Sequence, residues 1–233
     1  MQAIILAGGL GTRLKEVLQD IPKPMAPIGQ KPFLEYILYF LQQQGIKSVI
    51  LSVSYRYEMI CKHFGGDFLG MKISYSIEEK ALGTGGAIKK ALHLANSTPV
   101  FILNGDTYFD ISLSDLKLKD QSKICLGLKK MQNFDRYGCV TIDEEGFIQS
   151  FEEKKFTQQG LINAGVYLIN KSIFEGFYEE VFSFETFLQN HFKSLKAHAK
   201  VFEGFFIDIG IPQDYEKAKT KMQTFKGIPL NSH

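Results

Sequence analysis

The sequence predicts an α/β fold, in which a doubly wound, Rossmann-like mixed β-sheet is flanked by helices. Two patterns predict it. In the first half of the chain, continuous apolar segments alternate with segments of helical periodicity, as in parallel sheets that are covered on both faces. After Gln121, strand-like segments follow one another with little helix between them, which indicates that further strands complete a mixed sheet.

The first half begins with a buried strand over Ala3–Ala7. Helical spacing then predicts a helix over Pro32–Gln44, which ends before Gly45. The remaining elements alternate in type: a strand at Ser48–Ser54, a helix at Tyr57–Phe64, a strand at Lys72–Ile77, a helix at Gly85–Ala95 and a strand at Pro99–Asn104. In such a sheet, we expect ligands at the carboxyl ends of the strands.

The second half is predicted to be richer in strands, at Lys123–Met131, Gly138–Asp143, Phe147–Glu152 and Ile162–Asn170, with a turn at Asp143–Gly146. The last elements are a helix at Ser183–Leu195, short strands at Ala199–Phe202 and Phe205–Ile209, and a helix at Pro212–Phe225. We interpret residues 1–233 as one domain. It has a nucleotide-binding half at 1–121, a half at 122–225 that holds a second ligand, and a tail at 226–233.

The composition excludes several classes of function. The 233 residues are 45% hydrophobic and carry a formal net charge of +2 without blocks of basic residues, so no nucleic-acid partner is expected. No apolar run approaches the ~18 residues of a membrane span, and no basic leader precedes the apolar start, so we expect a cytoplasmic protein. Cys61, Cys125 and Cys139 lack CxxC spacing and are expected to be unpaired core thiols. The five histidines lack metal-ligand spacing.

The first strand is followed directly by Gly8–Arg13 (GGLGTR), which indicates an anion-binding loop. Three glycines in four positions leave backbone N–H groups free to face an anion, and phosphate is the obvious candidate. Two phosphate-binding motifs are excluded. The Walker A motif needs a Gly-Lys pair that does not follow here, and the dinucleotide fingerprint needs a third glycine where Leu14 stands.

A second element, Pro22–Met25 (PKPM), follows the loop, and its two prolines fix the backbone around Lys23. The GGLGTRL loop followed by PKPM closely resembles the signature of the sugar-1-phosphate nucleotidyltransferase family, the pyrophosphorylases that make nucleotide sugars. The resemblance implies that Lys23 and Arg13 are catalytic and that Lys23 neutralises charge at the reacting phosphates. It also implies that the triphosphate is held by Gly8, Gly9, Gly11, Thr12 and Arg13.

The stretch Glu78–Ala87 (EEKALGTGGA) resembles the base-binding loop of the same family. By this resemblance, the glycines of the loop let a base lie against backbone, and a helix begins around Thr84. The nucleotide-binding residues implied here and at neighbouring strand ends are Leu6, Glu78, Gly83, Thr84 and Gly105.

Two strands end in an aspartate, at Leu103–Asp106 and at Phe206–Gly210. Asp106 and Asp208 match the two family carboxylates that bind Mg²⁺ across the nucleotide phosphates, so the resemblance implies Mg²⁺ as the cofactor. Mg²⁺ prefers hard oxygen ligands and retains water, so one or two carboxylates suffice.

Three further stretches resemble the sugar-facing part of the family: Arg136–Gly138, Glu152–Lys154 and Asn163–Gly165. The resemblance makes residues 122–225 the sugar-phosphate-binding half. It implies that Glu153 binds sugar hydroxyls and that Lys154 binds the phosphate of the sugar 1-phosphate. The other residues it assigns to the sugar pocket are Tyr137, Gly138, Asn163 and Gly165.

The implied reaction is an inline displacement without a covalent enzyme intermediate. An oxygen of a sugar 1-phosphate attacks the α-phosphorus of a nucleoside triphosphate, and pyrophosphate leaves. The nucleophile is already an anion at neutral pH, so positioning and charge neutralisation supply the catalysis.

Along its whole length, the chain closely resembles bacterial members of the family that transfer a guanylyl group from GTP to D-glycero-α-D-manno-heptose 1-phosphate. This resemblance implies a role in nucleotide-sugar biosynthesis for capsule or surface polysaccharide. Glu78 or Glu79 offers acceptors for the N1–H and the amino group of guanine, which uracil and thymine do not present as a pair.

Two alternatives stay open at the level of sequence. A uridylyl- or thymidylyltransferase acting on a hexose 1-phosphate would share these motifs, with CTP as a further donor. The other alternative is a regulatory relative that binds a nucleotide without turnover. Such a relative would be expected to have lost at least one of the charged residues that the resemblance implies, and all five are present: Arg13, Lys23, Asp106, Lys154 and Asp208. We expect no C-terminal β-helix of the kind that some relatives append. The sequence does not distinguish a monomer from a homodimer.

Overall fold

The computed structural model describes residues 1–9, 11, 14, 18 and 20–222. The strands in this part of the chain are β1 (Gln2–Leu6), β2 (Pro27–Ile28), β3 (Lys31–Pro32), β4 (Ser48–Val53), β5 (Asp67–Phe68), β6 (Met71–Ile77), β7 (Val100–Asn104), β8 (Thr107–Phe109), β9 (Ile124–Phe134), β10 (Val140–Ile142), β11 (Ile148–Phe151), β12 (Thr157–Ile169), β13 (His198–Phe202) and β14 (Phe206–Asp208). The α-helices are α1 (Phe33–Gln43), α2 (Tyr57–Phe64), α3 (Gly83–Leu92), α4 (Phe184–His191) and α5 (Pro212–Met222).

An eight-stranded sheet with the order β13-β9-β12-β7-β1-β4-β6-β5 forms the centre of the molecule. β1 pairs in parallel with β4 and with β7, and β4 pairs in parallel with β6. β12 runs antiparallel between β7 and β9, so the second half of the chain extends the sheet that the first half begins. The predicted mixed sheet is confirmed.

The apolar core lies on both faces of this sheet, because successive side chains of a strand point to opposite faces. In β1, Ala3 and Ile5 belong to the core cluster that includes α1, α2 and α5. Ile4, between them, belongs to the cluster that includes α3 and α4. Each fully buried isoleucine stabilises the fold by about 1.5–3 kcal/mol, so helices on both faces are required. This is the doubly wound arrangement that the sequence predicts.

The boundaries differ from prediction where backbone pairing extends beyond the apolar pattern. β12 begins at Thr157, ahead of the predicted Ile162, and β9 continues to Phe134, because polar residues of these two strands pair with each other. The short strands β2, β3, β5 and β8 were not predicted, since two or three residues show no periodicity. The predicted end of the last helix at Phe225 and the predicted tail at 226–233 lie outside the described residues.

Two local predictions are confirmed, the turn in full and the core thiols for two of the three cysteines. The turn at Asp143–Gly146 is closed by a hydrogen bond from Gly146 N to Asp143 O at 3.0 Å, with Gly146 at φ +85°. The three cysteines are unpaired, two of them buried, and burial raises the pKa of Cys125 to about 11. Within the described ranges, no helix has the length and apolar character needed to cross a membrane.

Candidate active site

A cavity of about 690 Å³ opens where β1, β4, β6 and β7 reach their carboxyl ends. This is the edge at which open α/β sheets bind ligands. Ten of the residues predicted from sequence line it: Leu6, Gly8, Gly9, Gly11, Lys23, Glu78, Gly83, Thr84, Gly105 and Asp106. The residues predicted for the sugar, and Asp208, lie outside its wall.

The glycine loop passes through confined space at this edge. A Cβ on Gly8 would lie 2.9 Å from Glu78 Oε1 and 3.2 Å from Ser54 Cβ. Gly11 has a φ of +58°, which favours glycine, and a Cβ there would lie 3.0 Å from Lys23 Cβ. The loop therefore contacts the predicted catalytic lysine directly. Thr12 and Arg13, both predicted to bind phosphate, lie outside the described residues.

Lys23 begins a single 3₁₀ turn, Lys23–Met25, which follows extended backbone at Pro22. Its ammonium forms an ion pair with Oδ2 of Asp106. The side chain of Lys23 is 12% exposed and that of Asp106 is 33% exposed, so the pair is only partly screened by water. The structure thus places the predicted catalytic cation and one predicted metal ligand side by side in the cavity wall.

Glu78 is half-buried beyond the end of β6. Its Oε1 accepts a hydrogen bond from Ser52 Oγ at 3.2 Å, and its Oε2 accepts one from Leu82 N at 3.3 Å. Burial raises the pKa of Glu78 above its ordinary value, against the opposing effect of these hydrogen bonds. A carboxylate has about four lone-pair sites, so sites remain for donors on a ligand. Glu79 is exposed and does not line the cavity.

The glycines of residues 83–86 serve a contact that the sequence analysis missed. Residues 180–182 pack against them: Phe182 N donates to Leu82 O and Gly85 N donates to Phe182 O, both at 3.0 Å. A Cβ would lie 2.4 Å from Phe182 O at Gly83, and 2.1 Å from Glu180 O at Gly86. The chain itself therefore fills the space in which a Cβ would lie at these glycines. Gly83 lines the cavity all the same.

Asp208 lies next to Asp106 because two short strands pair there. β14 pairs with β8, which sets Asp208 opposite Thr107, and Ile209 N donates to Asp106 O at 2.9 Å. These backbone contacts bring the two predicted metal ligands together, although about one hundred residues separate them in sequence.

Tyr137 contacts this aspartate and not the cavity. Its hydroxyl donates to Asp208 Oδ2 at 3.0 Å, and burial, together with the charge of Asp208, raises the pKa of Tyr137 well above its usual range. The neighbouring Arg136 lies 3.6 Å from the same oxygen and forms an ion pair with Asp214, in the first turn of α5. A residue predicted to face the sugar thus contacts a predicted metal ligand.

The remaining predicted sugar residues fall into two places. Glu153 and Lys154 are exposed, between β11 and β12. Gly138 lies against the end of β11, since a Cβ there would lie 2.3 Å from Glu152 O. The predicted sugar-binding stretches around Gly138 and Glu153 therefore adjoin each other, outside the wall of the cavity.

Asn163 and Gly165 form a bulge in β12, where the pairing with β9 changes register. Gly165 has a φ of +71°, and a Cβ there would lie 2.5 Å from Asn104 Nδ2. Asn163 donates to Tyr167 OH at 2.8 Å and accepts from Gly165 N at 3.1 Å. Since Asn104 lines the cavity, the bulge lies directly behind the cavity wall.

Residues 2–224 match the protein family described as nucleotidyl transferase. The chain belongs to this family. The resemblance predicted from the glycine loop and the PKPM element is thereby confirmed at the level of the family.

This nucleotidyl transferase has close relatives. It is 61% identical over 216 residues to D-glycero-α-D-manno-heptose 1-phosphate guanylyltransferase of Campylobacter jejuni, a match that covers 92% of this chain and 97% of that protein. It is 47% identical over 230 residues to the protein of the same name from Aneurinibacillus thermoaerophilus, over 97% of this chain and 100% of the relative. A crystal structure of HddC from Yersinia pseudotuberculosis, complexed with GMP-PN, is 37% identical, with a TM-score of 0.81 over 95% of this chain and 99% of that one.

Three polar residues in the cavity wall of this nucleotidyl transferase were not predicted as site residues: Ser54, Asn104 and Glu185. Ser54 and Asn104 lie at strand ends, so their position in the sheet was a signal for them. Glu185 belongs to the first turn of α4 and contacts Thr84, 101 residues away in sequence. No local pattern in the sequence indicates such a contact.

Asp106 and Asp208 fit the chemistry of a Mg²⁺ site in this nucleotidyl transferase. Mg²⁺ is commonly held by one or two carboxylates together with substrate phosphates. Asp106 lines the cavity directly before β8, and Asp208 ends the strand that pairs with β8. Among the residues that the structure describes, no group of three or more histidine, cysteine, aspartate or glutamate side chains could hold a metal ion.

Proposed function

We propose that the protein transfers a guanylyl group from GTP to D-glycero-α-D-manno-heptose 1-phosphate, giving GDP-heptose and pyrophosphate. The observation that carries the proposal is the 61% identity, over 92% of the chain, to a guanylyltransferase named for that acceptor. The structure of HddC, complexed with GMP-PN, supports a guanine nucleotide as the donor. The cavity volume of about 690 Å³ is in the usual range for small-molecule sites.

In the proposed reaction, an anionic oxygen of the heptose 1-phosphate forms a bond to the α-phosphorus of GTP. The bond from the α-phosphorus to the β-bridging oxygen breaks, and pyrophosphate leaves with its electron pair. No proton has to be removed from the nucleophile, so the side chains have to position the reactants and offset negative charge. Lys23 supports this role because its ammonium lies in the cavity wall and is only 12% exposed.

We propose that Glu78, and not Glu79, recognises guanine. Glu78 lines the cavity and is fixed by Ser52 Oγ and Leu82 N, whereas Glu79 is exposed. A fixed carboxylate with free lone pairs accepts from two adjacent N–H donors, and guanine presents such a pair at N1 and its amino group. Uracil presents one such donor at N3, flanked by carbonyl oxygens.

We also propose Mg²⁺ as the cofactor, held by Asp106 and Asp208. When bound, it would offset the charge on the nucleotide phosphates and on the pyrophosphate that leaves. In the structure, Asp106 is paired with Lys23, and Asp208 accepts from Tyr137. These contacts orient both carboxylates at the edge of the site.

The three free cysteines support a reducing compartment, so we propose the cytoplasm as the site of the reaction. The proposed product is an activated heptose, which fits a role in the synthesis of capsule or surface polysaccharide.

The first experiment measures pyrophosphate release with Mg²⁺, testing GTP, UTP, dTTP and CTP against heptose and hexose 1-phosphates. We expect release with GTP and the manno-heptose 1-phosphate. Release with UTP or dTTP and a hexose 1-phosphate would support the proposed type of reaction and show that the assigned substrates are wrong. Protein that binds a nucleotide but releases no pyrophosphate with any pair would indicate a regulatory relative.

Two matched variants test the assignment of the base. Glu78→Gln turns one acceptor into a donor at the cavity, so we expect the preference for GTP over UTP to fall by at least about tenfold. Glu79→Gln makes the same chemical change one residue away, at an exposed position, and should leave the preference unchanged. Equal preferences in the two variants would remove Glu78 from base recognition.

A further inference from the structure

Glu185 lines the same cavity as Glu78 and Gly83, although it belongs to the second half of the chain. Its Oε2 accepts a hydrogen bond from Thr84 Oγ1 at 2.8 Å and another from Ser183 Oγ at 2.9 Å. Neither the motifs of the sequence nor the proposed chemistry gives this carboxylate a role.

The two hydroxyl groups that contact Glu185 both act as donors to it. Thr84 Oγ1 already accepts from Phe184 N at 2.8 Å, and Ser183 Oγ accepts from Thr186 N at 3.2 Å. Each hydroxyl therefore points its hydrogen at the carboxylate, which fixes Oε2 as an acceptor of two bonds. Within the described part of the chain, Oε1 has no hydrogen-bond donor. One oxygen of Glu185 is thus anchored and the other is available to a ligand.

The charges of the cavity restrict what this oxygen can bind. Glu78, Asp106 and Glu185 contribute three carboxylates to the described wall, and Lys23 contributes the one described cation, which is already paired with Asp106. A phosphate next to Glu185 would be repelled, whereas an N–H or O–H donor would be attracted. The residues around Thr84 in the wall include Ala81 and Ala87, which offer no competing polar group.

The buried phenol of Tyr167 relates Glu185 to the reacting end of the site. Burial raises the pKa of Tyr167, and the charges of Glu185 and of Asp106 both raise it further. Both carboxylates are therefore within electrostatic reach of one phenol, which itself accepts a hydrogen bond from Asn163. Glu185 and Asp106 also share the wall of one cavity.

We infer that Oε1 of Glu185 accepts a hydrogen bond from a hydroxyl group of a sugar ring, and that Glu185 is a specificity-determining residue of the site. The inference rests on the proposed function, in which two sugar rings flank the reacting phosphates: the ribose of the nucleotide and the acceptor sugar. Hydroxyl groups are the donors that both rings share. In the proposed function, the base is bound by Glu78, whose carboxylate accepts a hydrogen bond from Leu82 N. Leu82 lies two residues before Thr84, which contacts Glu185.

The test compares Glu185→Gln with Ser183→Ala. In the glutamine variant, the amide oxygen still accepts from Thr84 and Ser183, and the NH₂ group takes the place of the free acceptor. We expect the KM of one substrate to rise at least about tenfold, with a small change in Tm. Ser183→Ala removes one of the two anchoring hydroxyls and a helix N-cap, so it should lower Tm more than Glu185→Gln does, and it should raise the same KM by less, because Thr84 still donates to Oε2.

Analogues that lack single hydroxyls identify the ring. If the ribose is bound, the difference between wild type and Glu185→Gln disappears with 2′-deoxy- or 3′-deoxy-GTP. If the acceptor is bound, it disappears with a deoxy sugar 1-phosphate. Unchanged KM values, a difference that persists with every deoxy analogue, or one that disappears only with ITP, which lacks the amino group of guanine, would overturn the inference. If Glu185→Gln does not fold, Glu185→Asp takes its place in the test. Aspartate keeps the charge, but its side chain is one methylene shorter, so the free oxygen lies farther from the ligand.

The substrate panel is run on the wild type first. If the wild type does not use GTP with the manno-heptose 1-phosphate, the panel shows that the proposed function is wrong. The Glu185 variants are then compared with the nucleotide and sugar 1-phosphate that the wild type does use. Dissociation constants of the nucleotides, measured by calorimetry, give the ribose comparison without turnover.

Discussion

Gly86 lies inside helix α3, where alanine is normally the better residue. Replacing glycine by alanine in a helix interior stabilises a protein by about 1 kcal/mol. Here the structure predicts the opposite sign. A Cβ at Gly86 would lie 2.1 Å from Glu180 O and 2.9 Å from Leu82 Cβ, closer than real Cβ contacts occur. The backbone of residues 180–182 would have to move away.

The cost of that movement follows from what holds the segment. Two backbone hydrogen bonds join Phe182 to the loop, through Leu82 O and Gly85 N, and each contributes about 1 kcal/mol. The ring of Phe182 packs against Phe174 and Phe177 at centroid distances of 5.4 and 4.8 Å, and these contacts contribute about 2 kcal/mol together. With the gain of about 1 kcal/mol from helix propensity, we expect a net loss of about 3 kcal/mol.

The assay is thermal and chemical unfolding of Gly86→Ala beside the wild type. For a chain of this size, a loss of about 3 kcal/mol corresponds to a fall in Tm of roughly 6–12 °C. Gly83 and Thr84 lie in the same turn and line the cavity, so the KM for the nucleotide should rise as well.

Gly66→Ala is the matched control. Gly66 is exposed, and a Cβ there would meet no atom within 4 Å, so the substitution should be neutral or stabilise by up to about 1 kcal/mol. A Gly86→Ala variant that is as stable as the wild type, or more so, would refute the argument that residues 180–182 dictate these glycines.

Three further predictions concern charged or titrating groups. Lys23→Met should lower kcat about 100- to 1000-fold with Tm close to that of the wild type, measured by pyrophosphate release, and a near-normal rate would remove Lys23 from the mechanism. Arg136→Met removes the cation next to Asp214 and should cost about 1–2 kcal/mol in chemical unfolding, whereas Lys217→Met, at a side chain that is 63% exposed, should cost less than about 0.5 kcal/mol; equal losses would contradict the role of Arg136. His198 is buried, with its ring nitrogens 2.9 Å from a serine hydroxyl oxygen and 2.8 Å from a backbone carbonyl oxygen, and burial lowers its pKa. The neutral form therefore favours the folded state, and its contribution is full above about pH 6.5 and declines as the pH falls below that value. His198→Gln should flatten the decline in unfolding free energy between about pH 7 and about pH 5, and an unchanged slope would show that another group causes it.

The alternation of elements could be predicted from sequence because burial on both faces leaves a pattern in the residues. β1, β4 and β7 each contain a continuous apolar run of at least three residues, and α1 repeats its apolar residues at helical spacing. β8 and the polar halves of β9 and β12 could not be predicted, since their pairing depends on a partner strand and not on their own apolar pattern. The bulge at Gly165 depends likewise on the position of Asn104.

The sequence by itself determined the family, the glycine loop, Lys23 and the strand-end Asp106, because each of these is local: a short motif, or a polar residue directly after a buried strand. The tertiary structure alone decided which groups meet across long separations. It set Asp208 beside Asp106, turned Tyr137 towards that aspartate, and brought residues 180–185 onto the loop of residues 82–86. The physical reason is that such contacts arise from strand pairing and helix packing between distant segments. Hydrophobic periodicity indicates the secondary structure of a segment, but it does not indicate which distant segment will pack against it.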